Sequence, residues 1–136
     1  MPFGAFLDVF ACPTCRGDLA ENGAALHCAA CTVDYPIVNG IPDLRVPSEA
    51  RTETVRAFYM EAPFPGYPPN DTLSGLRGRA ARSEFARLLE QAVPGDAKVV
   101  ELGCGTGQTS LFLATADRLV VGADLTRASL ELGASA

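Results

Sequence analysis

Ala81, Phe85, Leu88, Leu89 and Ala92 recur at i, i+4, i+7, i+8 and i+11, which gathers them on one face of a helix. Pro94-Gly95 ends that helix. Lys98-Val99-Val100-Glu101-Leu102 is a short β-branched run of the kind that forms a buried strand. A glycine loop follows it, and then a helix from Gln108 to Ala114. Leu119-Val120-Val121-Gly122-Ala123 reads as a second apolar strand, and Thr126 suits the N-cap of a last helix. The order β-α-β-α at short spacing predicts a parallel strand pair joined by a crossover helix, which is an α/β arrangement.

The rest of the chain has a different texture. Residues 1–47 hold four of the five cysteines among short β-like runs. Residues 48–77 form a linker with a short helical stretch and a proline-rich loop, Pro63-Phe64-Pro65-Gly66-Tyr67-Pro68-Pro69. Residues 78–136 carry the βαβα pattern. Within 1–47, Glu21-Asn22-Gly23 is a good hairpin turn, and Asn39-Gly40 is another between Tyr35-Pro36-Ile37 and Ile41-Pro42. The prolines suit strand edges.

Charge narrows the partners. The net charge is −5, with six acids against two arginines in residues 1–50 and ten acids against nine bases in residues 51–136. Neither half is a basic nucleic-acid surface. Arg77, Arg79, Arg82 and Arg87 fall near helical spacing and read as a solvated helix face. No apolar run approaches a membrane span. The start, Met1-Pro2-Phe3-Gly4, has no basic signal-peptide region, so the expected compartment is reducing and cytoplasmic.

That setting bears on the cysteines. Cys12-Pro13-Thr14-Cys15 and Cys28-Ala29-Ala30-Cys31 are two C-x-x-C knuckles. A two-residue gap lets both thiolates of a pair reach one ion, and two knuckles complete the closed tetrahedron of a structural zinc site. Two disulfides or buried free cysteines are the alternatives, and a reducing compartment weighs against the first. Gly17 permits the tight backbone turn after the first knuckle. His27 reads as a surface or supporting residue, because four thiolates already fill the tetrahedron.

The two knuckles followed by Tyr35-Pro36-Ile37, Asn39-Gly40 and Ile41-Pro42 resemble the small zinc-ribbon family typified by the activator subunit of tRNA and protein methyltransferases. The resemblance covers residues 6–46. It implies a structural or partner-binding module rather than a catalyst, with a protein partner docking on the ribbon.

The glycine loop is Gly103-Cys104-Gly105-Thr106-Gly107. It follows a strand and opens a helix whose N-terminus offers free N–H groups and a positive dipole end, where open α/β sheets bind ligands. The dinucleotide fingerprint G-x-G-x-x-G fails at its third position, where Gln108 stands. Glu101 before the loop is also a poor companion for a diphosphate. Asp124, at the end of the second strand, is placed to accept hydrogen bonds from vicinal ribose hydroxyls.

Val99 to Gly107 together with Val121 to Leu125 resemble the first two motifs of class I S-adenosylmethionine-dependent methyltransferases. The resemblance implies a Rossmann-like domain with S-adenosylmethionine as cofactor. Gly103, Gly105 and Gly107 would pass close to the cofactor, Glu101 would support the loop and the cofactor's amino-acid end, and Asp124 would hold the ribose. Residues 52–60 resemble the extra helix that often precedes this fold, which places Tyr59 over the cofactor. Cys104 sits where the family has a small packed residue, so no nucleophile is expected.

The resemblance runs from residue 78 to Ala136, twelve residues after Asp124, and so covers only the first part of such a domain. No catalytic residue and no methyl acceptor can be named from it. The expectation is an incomplete domain, inactive as this chain, that self-associates through its open sheet. A rival reading is a non-catalytic zinc-ribbon module that docks a methyltransferase. A third is a nucleotide-dependent oxidoreductase fragment that tolerates Gln108.

Overall fold

Strict alternation along β2 (Ala25–Cys28) buries Leu26 and Cys28 and leaves Ala25 and His27 half-buried. The side-chain period of a strand is two, so one face of this short segment is committed to a core. The computed structural model describes residues 6–47, 49–66, 72–114 and 117–135. Met1 to Gly4 and Tyr67 to Pro69, which entered the sequence reading, lie outside the described residues. The chain divides into two units, residues 1–50 and 51–136.

In the first unit, β1 (Ala20–Asn22) pairs antiparallel with β2, and Asn22 faces Ala25 across a tight turn at Gly23. β3 (Val33–Val38) pairs antiparallel with the other edge of β2, with Leu26 opposite Tyr35. β4 (Ile41–Pro42) returns along β3 after Asn39-Gly40, whose φ angles are 52° and 78°. Two consecutive left-handed residues are what a tight hairpin turn requires, and Asn-Gly supplies them at least strain. The sheet order is β1-β2-β3-β4. Pro42 lies on the edge strand as expected. Pro36 does not: it sits in β3, paired on both sides, opposite the first residue of β2. Its carbonyl still accepts the Asp43 N–H at 2.8 Å.

The core of this unit is Cys12, Leu19, Leu26, Cys28 and Tyr35, with Leu7, Phe10, Ile37 and Leu44 packed around it. Two of the five buried members are cysteines, so apolar burial alone gives this sheet little support.

In the second unit, α1 (Ala50–Glu61) buries no residue. α2 (Leu73–Ala80) is capped by the Thr72 hydroxyl, which accepts the Gly75 N–H at 3.1 Å. α3 (Glu84–Ala92) is capped in the same way by Ser83, from the Ala86 N–H at 3.3 Å. These two caps divide the periodic stretch read from the sequence. Ala81 closes α2, while Phe85, Leu88, Leu89 and Ala92 lie on α3. The apolar face of α3 is largely uncovered, with Phe85 75% exposed.

β5 (Lys98–Leu102) and β6 (Leu119–Ala123) pair in parallel, from Lys98 opposite Leu119 to Leu102 opposite Ala123. α4 (Gln108–Leu113) crosses between them and packs on β6 and α2, and α5 (Arg127–Ala134) follows. The strands are where the sequence places them, but β5 is not a buried strand. Val99 and Glu101 are half-buried, whereas Val100 and Leu102 on the opposite face are 60% and 82% exposed. Helix α4 packs on β6, and it is the Val100 and Leu102 face of β5 that is left exposed.

Arg118 fastens the ends of three elements. Its guanidinium donates to the Glu90, Val93 and Pro94 carbonyls at 2.9, 2.6 and 3.0 Å, and to Leu113 at 3.4 Å. The Glu90 and Leu113 carbonyls are in the last turns of α3 and α4, where a cation also meets the negative end of the helix dipole. No helix among the described residues is long and apolar enough to cross a membrane.

Candidate functional site

Each C-x-x-C knuckle turns through a left-handed residue just after its second cysteine. These are Arg16 (φ 63°) and Thr32 (φ 53°). The turn expected at Gly17 therefore belongs to Arg16. At Gly17 a Cβ would lie a tight 3.3 Å from the Cys15 Sγ, which accepts the Gly17 N–H at 3.4 Å. Backbone bonds from Cys12 N–H to the Gly17 carbonyl and from Arg16 N–H to the Cys12 carbonyl, both 2.8 Å, close the first knuckle.

The knuckles bring Cys12, Cys15, Cys28 and Cys31 together with all four Sγ atoms within 4.8 Å of one another. Cys12 and Cys31 are 3.9 Å apart, and Cys15 and Cys28 are 3.5 Å apart. A tetrahedron with metal–sulfur bonds near 2.3 Å has sulfur–sulfur edges of about 3.8 Å, so the four ligands fit one zinc-sized ion. All four are free thiols, which sets aside the disulfide alternative for this structure. His27 is not among them. Its Nδ1 meets Asp34 Oδ1 at 2.7 Å across β2 and β3.

The thiols titrate apart. A hydrogen bond with the Tyr35 hydroxyl brings Cys12 down to about 6 despite its burial. Hydrogen bonding with Cys15, and then burial, pushes Cys31 up to about 12. A thiolate is thus favoured at Cys12, while Cys28 and Cys31 resist ionising beside it.

The second candidate site lies at the carboxyl ends of β5 and β6. Gly103, Gly105 and Gly107 all take positive φ, at 70°, 55° and 74°. Asp124 latches the loop that they form. Its Oδ2 accepts the Gly105 N–H at 2.8 Å, and its Oδ1 accepts the Thr126 N–H at 2.8 Å. The Thr126 hydroxyl bridges Asp124 Oδ1 at 2.7 Å and Ser129 Oγ at 2.9 Å. Glu101 turns the other way and accepts the Ser110 hydroxyl at 2.5 Å, which ties β5 to α4.

A cleft of about 290 Å³ opens over the loop. Gly103, Gly105, Asp124 and Tyr59 line it together. Gly107 and Glu101 do not line it. Gly107 caps α4 without a side chain, and α4 has only six residues, so the helix-terminus contribution expected from the sequence is small.

The sequence reading missed Phe64 and Thr106. Phe64 lines the cleft beside Tyr59, and its carbonyl sits where a Cβ on Gly105 would be. The buried Thr106 donates its hydroxyl to the Pro65 carbonyl at 2.6 Å. The glycine at 105 thus serves a close approach by the chain itself. The only hint in the sequence was the proline-rich composition of that stretch, which does not say where it lands.

Cys104 is buried beneath the loop. Burial first, then the Asp124 and Glu101 charges, push its thiol up to about 11, which agrees with a packed rather than nucleophilic residue. No protein-family model matches this chain, and no curated protein matches it.

Proposed function

We propose that this chain carries the cofactor-binding start of an S-adenosylmethionine-dependent methyltransferase, joined to a ribbon shaped by a structural zinc ion. The observation that supports the cofactor reading is the convergence of Tyr59, Gly103, Gly105 and Asp124 on one cleft at the strand carboxyl ends. The residues suit a nucleoside. Asp124 Oδ2 accepts one hydrogen bond, and a carboxylate oxygen has room for a second, such as a ribose hydroxyl. Tyr59 and Phe64 give the cleft two aromatic walls of the kind on which a flat base rests. The volume is near the lower end of small-molecule sites, roughly 300 to 1,000 Å³. S-adenosylmethionine, when bound, supplies an electrophilic methyl group; the residues described here bind and orient, and none is assigned to the acceptor.

Calorimetric titration with S-adenosylhomocysteine tests this reading. Weak binding is expected, abolished by Asp124→Ala and weakened by Tyr59→Ala. The absence of both heat and an amide shift around the Gly103–Gly107 loop would contradict it. For the four-thiolate centre we propose zinc in a reducing, cytoplasmic setting, because closed four-cysteine sites are structural zinc sites.

A second reading is favoured by the uncovered Val100 and Leu102 face of β5 and by Phe85 on α3. On that reading the chain acts by docking, to a second copy through the open sheet or to a methyltransferase through the ribbon. Light scattering that shows a monomer at high concentration, with no methyltransferase recovered in a pull-down, would count against it.

A further inference from the structure

Cys12 and Cys28 are buried inside the ribbon, whereas Cys15 is exposed and Cys31 is partly so. A four-thiolate zinc centre carries net negative charge. Water can solvate the thiolates on the open side, but buried charge needs hydrogen bonds from the protein. On the open side Cys15 has the Gly17 N–H at 3.4 Å. On the buried side the Tyr35 hydroxyl lies 3.2 Å from the Cys12 Sγ, with the Thr14 hydroxyl 3.5 Å behind it.

We propose that Tyr35 is a positioning residue for the metal centre, whose hydroxyl donates to the Cys12 thiolate and holds its charge inside the core. This rests on the reading that the cluster holds zinc. The direction of the bond follows from chemistry: a metal-bound thiolate has no proton to give, so the phenol is the donor. The position is built to do this. Tyr35 is 5% exposed and faces Leu26 across β2 and β3, so its ring is clamped by the core and its hydroxyl has little freedom to turn elsewhere. The Thr14 hydroxyl, inside the first knuckle, is placed to donate in turn to the phenol oxygen.

The Tyr35→Phe chain keeps the ring and removes only the donor. Competition against a chromophoric chelator should show zinc affinity reduced roughly 10- to 100-fold, the usual effect of losing such a partner. A purely structural tyrosine would leave the electronic character of the sulfur unchanged. In the cobalt(II)-loaded chain, therefore, the sulfur-to-metal charge-transfer band should move to lower energy in Tyr35→Phe and stay in place in Thr14→Val. A folded Tyr35→Phe chain with wild-type affinity and an unshifted band would overturn the proposal. Failure of the wild-type chain to take up zinc or cobalt would instead remove the zinc reading, and this proposal with it. If circular dichroism shows that metal-loaded Tyr35→Phe does not fold, the cadmium-loaded wild-type chain decides. A scalar coupling between the cadmium ion and the Tyr35 hydroxyl proton, carried through the Cys12 sulfur, supports the bond, and a resolved hydroxyl proton without that coupling overturns it.

Discussion

The two units solve the problem of a small core in opposite ways. The ribbon has a complete interior in which Cys12 and Cys28 stand beside Leu19, Leu26 and Tyr35. Its four sulfurs make a closed set of ligands, so the ion that they fit would provide much of the folding energy. Among its described residues the second unit has no such staple. Its buried residues are scattered, from Leu76 to Phe112 and Leu113, and three of them are polar: Thr106, Thr126 and Ser129. It is held at chosen points instead, by the Asp124 latch and the Arg118 fork. Meanwhile Val100, Leu102 and Phe85 remain largely outside, each forgoing most of the roughly 1.5–3 kcal/mol that full burial would give. A centre with fixed geometry can be completed within a short stretch of chain, whereas an apolar layer needs another layer to cover it.

The comparison breaks most sharply if the ribbon survives without its ligands. Cys28→Ser should lose bound zinc and unfold residues 1–47, since the metal contributes an apparent binding free energy of about 10–16 kcal/mol in small zinc domains. Metal analysis with limited proteolysis checks this, and the second unit should resist cleavage as before. A ribbon that stays protected would show that its apolar core suffices.

In the second unit the largest single effect is expected at Gly105. An alanine there must hold φ at 55° and drive its Cβ into the Phe64 carbonyl. The left-handed backbone alone costs roughly 1–2 kcal/mol. Gly105→Ala should release the Phe64-Pro65 segment and lower the urea midpoint of the second unit, with the ribbon transition unmoved. Asp124→Asn should cost less, about 1–3 kcal/mol, because one of the two latched N–H groups loses its acceptor. Faster hydrogen exchange at Gly105 or Thr126, while β1 to β4 stay unchanged, is the readout.

The smallest effect concerns Cys104. Its folded-state value of about 11 lies above the ordinary 9.0, so its contribution to stability is complete below pH 9.0 and is lost as pH rises through 11. In the zinc-loaded chain, iodoacetamide should leave Cys104 untouched at pH 8 and label it only as pH approaches 11, read by mass spectrometry. Rapid labelling at pH 8 would mean that the loop is open.

What was legible in the sequence follows the same divide. The four cysteines announced their cluster because ligand spacing is a local property, and Asn39-Gly40 announced its turn for the same reason. The order of β5, α4, β6 and α5 was equally readable from periodicity. Helix α2 was not, since Gly75 and Gly78 weaken its helical signal and only Thr72 marks its start. Periodicity showed that Phe85, Leu88 and Val100 are apolar but could not say what covers them. The Tyr35–Cys12 contact, the Phe64 wall and the Arg118 fork join residues 23 to 41 positions apart, in the fork's case several carbonyls at once. Such meetings are settled by tertiary packing and leave no local trace.

The most direct test of the difference between the units is withdrawal of the metal from the intact chain, followed by amide NMR. On addition of a strong chelator, the signals of residues 12–42 should collapse toward unfolded positions while those of Lys98–Leu102, the glycine loop and Asp124 stay dispersed, and zinc should restore the first set. Ribbon signals that persist without metal, or a second unit that collapses with the first, would contradict the account.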